Sequence, residues 1–329
     1  MGGQLSASVV IPTNNRADLL QDTLAGLAAQ TLKKSLFEVI VVDDCSTDNT
    51  QDVLMRLQPI LPFSLRIFRT AEDKGPAPAR NLGVKKADGE IIAFTDSDCR
   101  PSQEWLEKGV TAMRNTNIAM ATGVVDFKPE QLSRHNLFSR KTVVCDFEHP
   151  TYPTANAFYK RSVFLELNGF DENLSFPSIF GQAVEASDTD LAWRLKEAGY
   201  KNVFIKDAVV YHEVQTLKSK EWLLEPLRLF LLPALIRLHP GLRQKLLSYG
   251  LFFYKRSPFY YLLLFFLLFI WVLCPKALLL TPFILFILAA IKVRSLNPYR
   301  ILKKAGAIIL HSIRNYIMSA ALLYGSIRY

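Results

Sequence analysis

The stretch "IIAFTDSDCRP", residues 91–101, joins an apolar run to two aspartates one residue apart. Strand side chains alternate between faces, so an extended reading predicts that Asp96 and Asp98 project together from the end of a buried strand. Two carboxylates that close repel each other unless positive charge lies beside or between them. The choice is then between a divalent cation and a pair of solvated turn aspartates. Other two-aspartate loops narrow it. An EF-hand calcium loop needs glycine six positions in, where Pro101 stands. A phosphatase of the haloacid type wants threonine in place of Arg100, and no GxxxxGK[ST] phosphate loop occurs in the chain. What survives is a metal held by few protein carboxylates and by a substrate's diphosphate, as magnesium prefers.

Working outward, "SVVI" (8–11), "FEVIVVD" (37–43), "LRIF" (65–68) and "IAMATGVV" (118–125) join 91–95 as strand candidates. Helical stretches at 17–30, 49–57, 77–87 and 102–114 lie between them. Nearly wholly apolar strands alternating with amphipathic helices predict a parallel α/β sheet covered on both faces. Ligands in such sheets bind beyond the carboxyl ends of the strands. The residues to read are therefore Thr13-Asn14-Asn15, Asp43-Asp44 and Asp96-Ser97-Asp98. From 127 to 187 the pattern loosens into an aromatic-rich region suited to a substrate-facing subdomain. Residues 188–201 read as a helix stopped by Gly199, and 202–213 as two short strands leading to His212.

Charge divides the 329 residues unevenly. Residues 1–200 hold 21 Lys+Arg against 26 Asp+Glu, and 201–329 hold 18 against 4, which together give the net +9. A basic, apolar tail points to a membrane surface before nucleic acid, and no zinc-finger or helix-turn-helix spacing supports a nucleic-acid partner. Cys45, Cys99, Cys145 and Cys274 lie far apart, which fits free thiols in a reducing compartment. The first apolar run is a short strand, not a secretory signal, and the start MGGQLS matches a myristoylation pattern.

The uncharged run at 258–274 and the apolar run at 277–291 predict a transmembrane helical hairpin spanning 258–292. Basic flanks put both of its ends, and residues 1–250, on the cytosolic side of the cell membrane. Segments 227–240 and 307–325 mix Arg and His into apolar stretches and read as interfacial amphipathic helices. The expected organisation is a catalytic domain over 1–215, with a nucleotide-binding half (1–126) and an acceptor and base half (127–215). A membrane-proximal linker (216–257), the hairpin, and a basic amphipathic helix (293–329) follow.

Seven segments occur in one order: "VVIPTNNR", "AAQT", "VIVVDDCSTDNT", "GPAPARNLG", "FTDSDC", "NGFDE" and "SDTDLAWRLKEAGY". In this the chain resembles the family 2 inverting glycosyltransferases of the GT-A fold, over roughly residues 8–213. The resemblance implies that Thr13 and Asp44 hold the nucleotide base and its surroundings, with Arg80 nearby. Asp96 would face the ribose or the metal, and Asp98 would ligate a Mg2+ or Mn2+ ion. Asp188 matches the catalytic base. His212 is placed either as a structural histidine or as a group approaching the metal. Asn156, Asp171 and Asp190 fall where the family places acceptor and donor-sugar contacts. Two departures stand out: Ser187 replaces a usual glutamate, and Asn14 a usual tyrosine. Without the family, Ser187-x-x-Asp190 also reads as a helix-capping box, Asp43 as a turn residue, and Trp105 and Trp193 as core.

The expected function is addition of a single sugar from a nucleotide-sugar donor to a polyprenyl-phosphate-linked or other membrane-proximal glycan acceptor. No Gln-x-x-Arg-Trp motif of the processive synthases follows Asp188. A nucleotidyltransferase should carry a glycine-rich basic loop after the first strand, and "PTNNRAD" has no glycine. A non-catalytic membrane scaffold retaining the fold is the other alternative.

Overall fold

The computed structural model describes residues 5–140, 144–179, 182–253, 255, 257–273, 287 and 297–328. The chain divides into two compact units, Met1–Leu217 and Lys218–Tyr329. In the first, β1 (Ala7–Thr13), α1 (Ala17–Ala28), β2 (Phe37–Asp43), α2 (Thr50–Leu57), β3 (Ser64–Arg69), α3 (Pro76–Lys86) and β4 (Ile91–Phe94) alternate as expected. Their strands lie parallel in the order β3-β2-β1-β4. Every residue of β1 and β2 is buried, which β-branched side chains on both faces require of central strands. Helix α3 packs closely on β1 and β2: a Cβ on Gly83 would run into the Val10 side chain.

Beyond β4 the sheet departs from the parallel expectation. It continues through β7 (Ala157–Lys160), β6 (Ile118–Phe127), β10 (Lys201–His212) and β5 (Cys99–Pro101). Strand β7 is antiparallel to both β4 and β6, and β5 is antiparallel to β10. A helix, α4 (Trp105–Met113), carries the chain into β6, but among the described residues β6 passes to β7 with only short 3-10 turns, and β7 returns in the opposite sense. Residues 201–212 form one strand, not two. Its register shifts between Ile205 and Val209, where Lys206 and Asp207 interrupt the apolar pattern. Helix α5 (Arg161–Glu166), the β8 (Ser175–Ile179) and β9 (Gln182–Glu185) hairpin, and α6 (Ser187–Glu197) fill the stretch between β7 and β10.

The second unit is helical. Residues 227–240 do not make one amphipathic helix: a 3-10 segment, Glu225–Leu231, leads into the short helix Leu232–Leu238, and Pro240 opens another. Phe230, Leu231, Leu232 and Leu235 are buried, whereas Leu238 is exposed. The helix Pro298–Arg328 has 31 residues. Its length is roughly 46 Å, against a hydrocarbon core of about 30 Å. Among the described residues it is the one helix long and apolar enough to cross a membrane, although 307–325 was expected to lie on the surface. Ser257–Leu273 is a 17-residue helix without a charge. The proposed second arm of the hairpin, 277–291, lies outside the described residues apart from Ile287.

Candidate active site

The carboxyl ends of β1 and β2 supply the first wall. The Asp44 N–H donates to the Thr13 carbonyl at 2.7 Å, and the Asp44 carboxylate accepts from the Thr70 hydroxyl (2.7 Å) and the Gly75 N–H (2.9 Å). Asp44 thus holds down the loop entering α3, and burial pushes its pKa up. Gly75 adopts φ 90°, a conformation that favours glycine. Asn15 and Cys45 also take positive φ, and the Asn15 Oδ1 accepts from the Thr47 and Asp48 N–H groups. Asp43 is fully buried and binds the Ser46 N–H, the Gln51 amide and Arg69, which fixes it as a turn residue. Thr13 Oγ1 and Thr95 Oγ1 are buried and have no hydrogen-bond partner. An unpartnered buried hydroxyl costs about 1–3 kcal/mol, so two beside these strand ends mark a place for a polar ligand.

Strand β4 ends at Phe94, and residues 97–98 form a turn, so Asp96 and Asp98 do not project from one strand face. Each finds its own partner. Asp96 Oδ1 accepts from Arg80 Nη2 at 2.8 Å. Asp98 Oδ1 lies 3.4 Å from His212 Nε2, and its Oδ2 accepts from Gln215 Nε2 at 2.7 Å. His212 Nδ1 faces the Glu213 carbonyl at 2.8 Å. A carbonyl only accepts, so in the neutral ring Nδ1 carries the proton and Nε2 turns a lone pair toward Asp98. Asp98, Cys99 and His212 bring ligand atoms within 4.8 Å of one another. Burial, reinforced by Asp98 and Asp96, holds the Cys99 thiol well above its ordinary pKa, so it stays protonated. An imidazole and a carboxylate are ligands that Mg2+ or Mn2+ accept.

Asp188 sits in the first turn of α6, half-buried, and its Oδ1 accepts from the Thr189 N–H at 2.7 Å. Burial and the nearby charge of Glu185 push its pKa up to about 7. Glu185 had no sequence signal, yet it organises this corner. It accepts from the Ser187 N–H at 3.0 Å and from the Ser187 hydroxyl, so Ser187 is no capping-box residue. Arg80 Nη1 lies 3.6 Å from Glu185, and one buried guanidinium therefore links the Asp96 turn to the base helix. Burial opposes the charge on Arg80, but Asp96 and Glu185 outweigh it and hold its pKa up.

The three residues expected as acceptor contacts make bonds within the fold. Asn156 is 1% exposed. Its amide donates to the Val124 and Ala208 carbonyls (2.8 and 2.9 Å) and accepts from Trp105 Nε1 at 2.8 Å. It locks the bulge of β10 onto β6, and a Cβ on Gly123 would collide with it. Asp190 is buried against Arg194 at 2.7 Å, whose guanidinium caps the Leu167 and Gly169 carbonyls. Asp171 accepts from the backbone and side-chain N–H groups of Asn173, both at 2.9 Å, in a local turn. Trp105 and Trp193 are core, as read from their spacing.

The glycosyl transferase family 2 description matches residues 8–167, and that stretch is a domain of this family. Glycosyltransferase AglE of Haloferax volcanii is 30% identical over 210 residues, covering 62% of this chain and 66% of AglE. The poly(ribitol-phosphate) beta-N-acetylglucosaminyltransferase TarS of Staphylococcus aureus is 38% identical over 100 residues, 30% of this chain and 17% of TarS. The chain thus spans less than two thirds of these curated relatives. Among solved structures, the mannosyltransferase PcManGT of Pyrobaculum calidifontis, in complex with GDP-Man and Mn2+, has a TM-score of 0.58 at 22% identity. That match covers 98% of this chain and 86% of PcManGT. TarS 1–349 in complex with UDP gives 0.55 at 19% identity, covering 99% and 91%. The fold is GT-A, a mixed α/β curled sheet.

Proposed function

We propose that the chain is a metal-dependent inverting glycosyltransferase that moves one sugar from a nucleotide-sugar donor to a membrane-proximal acceptor. The observation that carries the reading is Asp188, a carboxylate with its pKa pushed up to about 7 and joined through Glu185 and Arg80 to the Asp96 turn. A base poised near neutrality is what proton removal from a hydroxyl requires. Thr189 holds Oδ1, which leaves Oδ2 for the acceptor proton.

The acceptor oxygen forms its bond to the anomeric carbon as the bond from that carbon to the diphosphate oxygen breaks. The bonding pair leaves with the nucleoside diphosphate, the proton passes to Asp188, and one in-line displacement inverts the centre. Thr13, Asp44 and Asp96 would hold the nucleoside with Arg80 beside them. Asp98 and His212 would hold Mg2+ or Mn2+, which when bound neutralises charge on the departing diphosphate.

The names of TarS and PcManGT support nucleotide-sugar donors, and the Mn2+ in the latter complex supports a divalent ion. The Pro298–Arg328 helix and its basic approach support anchoring in the cell membrane with the catalytic unit in the cytosol. Held there, the site would meet a polyprenyl-phosphate-linked or other membrane glycan acceptor at high effective concentration. The test is hydrolysis of UDP-, GDP- and dTDP-sugars by purified protein with and without Mg2+ or Mn2+. One donor should be consumed in a metal-dependent way and spared by Asp98→Ala. Equal consumption by wild type and Asp98→Ala would refute the reading.

A further inference from the structure

The segment after β10 grips the Asp98 turn at three points. The Glu213 N–H donates to the Asp98 carbonyl at 3.0 Å, His212 Nε2 approaches Oδ1, and Gln215 Nε2 donates to Oδ2. The segment is itself clamped from outside. The Glu213 carboxylate accepts from Lys128 (3.1 Å) and Gln131 (2.7 Å), and Gln131 Oε1 accepts from the Val214 N–H at 2.9 Å. Lys128 is buried, and Asp22 and Glu213 outweigh that burial to keep its pKa raised. Residues 212–215 are therefore held in place, and the Gln215 carboxamide tip is fixed on the opposite oxygen of Asp98 from His212. Gln215 Oε1 accepts no hydrogen bond among the described residues.

We propose that Gln215 is a third protein ligand of the divalent cation, acting through Oε1 with Asp98 and His212. This rests on the metal-dependent reading above. A carboxamide turns its N–H toward a carboxylate and its oxygen toward a cation. A metal ion on Asp98 would repel the N–H and select the orientation with Oε1 inward, a half-turn about the terminal torsion that leaves residues 212–215 in place. A carboxylate, an amide oxygen and one imidazole make an oxygen-rich set suited to Mg2+ or Mn2+, with the remaining positions left to phosphate oxygens and water.

The test uses Mn2+ alone as probe. Free Mn2+ is titrated by electron paramagnetic resonance against the full chain, and electron–nuclear double resonance is recorded on protein carrying 13C in its glutamine side chains. A coupling from a carboxamide carbon is expected in wild type and absent in Gln215→Leu. Mn2+ affinity should fall about tenfold or more in Gln215→Leu, rise in Gln215→Glu, and stay unchanged in Cys99→Ser. Gln215→Glu keeps the test valid if the leucine variant does not fold. If wild type binds Mn2+ with no such coupling, Gln215 is not a ligand, while the transferase reading stands. If wild type binds no more Mn2+ than Asp98→Ala, both this assignment and the metal-dependent reading fall.

Discussion

The two ends of the central sheet each bury charge, and they treat it in opposite ways. At the amino end of the strands, the Ser8 hydroxyl donates to Glu38 at 2.7 Å, Arg66 binds both Glu38 and Asp88 at 2.8 Å, and the Asp88 N–H donates to Glu38 at 2.8 Å. Burial alone would raise the pKa of Glu38, but these bonds outweigh it and hold it below the ordinary range. At the carboxyl end, Thr13 and Thr95 hydroxyls and two Arg80 nitrogens are buried without hydrogen-bond partners, and Asp188 is pushed up to about 7. A closed network stabilises the fold. An open one costs stability that a ligand restores, which is how a binding site differs from a structural ion pair.

The largest effect that sharpens this contrast is Asp188→Asn. Loss of a general base should lower the transfer rate about 10³-fold, and removal of a charge that burial disfavours should leave the melting temperature unchanged or raised. Kinetics and thermal melting on one preparation check both. The pH profile comes next. Asp188 works deprotonated, so kcat should fall as pH drops through about 7, approaching tenfold per unit below it. Asp188→Asn should lose that limb.

The amino end should answer in reverse. Glu38→Ala takes the acceptor from the Ser8 hydroxyl and the Asp88 N–H as well as one partner from Arg66, and should cost about 3 kcal/mol of stability with kcat unchanged, measured by denaturant unfolding and initial rates. The sign with pH is also opposite. A carboxylate with a lowered folded pKa stabilises above its unfolded pKa, and that stability is lost as pH falls through the folded value. Glu38→Gln should therefore flatten the acid limb of the stability curve. The smallest effect is at Asn156→Ala, which leaves the Ala208 and Val124 carbonyls and Trp105 Nε1 unpartnered. About 2 kcal/mol of stability should be lost, again with little change in rate.

How much of this was legible in the sequence follows from what each signal reports. Apolar runs separated by amphipathic helices marked β1 to β4, β6 and α1 to α4, because parallel strands buried on both faces have little freedom in composition. Strand β7, at four residues, is too short to show a period, and its antiparallel sense depends on where the long connection from β6 lets the chain return. The bulge at Lys206-Asp207 broke the alternation and made one strand look like two. Motif order brought out Asp96, Asp98, Asp188 and His212; Asp98 lies beside His212, and Arg80 joins Asp96 to Glu185 near Asp188. It also nominated Asn156 and Asp190, since a polar residue in a substrate-facing region looks the same whether its amide or carboxylate faces ligand or backbone. Glu185 and Gln215 left no trace, because their roles come from partners distant in sequence or from local turns that carry no period.

Hydrogen exchange with mass spectrometry, with and without GDP or UDP in the presence of Mn2+, tests the contrast between the two ends most directly. Protection should appear at 13–15, 44–48, 70–75, 95–99 and 212–215, with none at 38, 64–66 or 88. Protection at the amino end, or no change at the carboxyl end with either nucleotide, would contradict the assignment of the open end as the site.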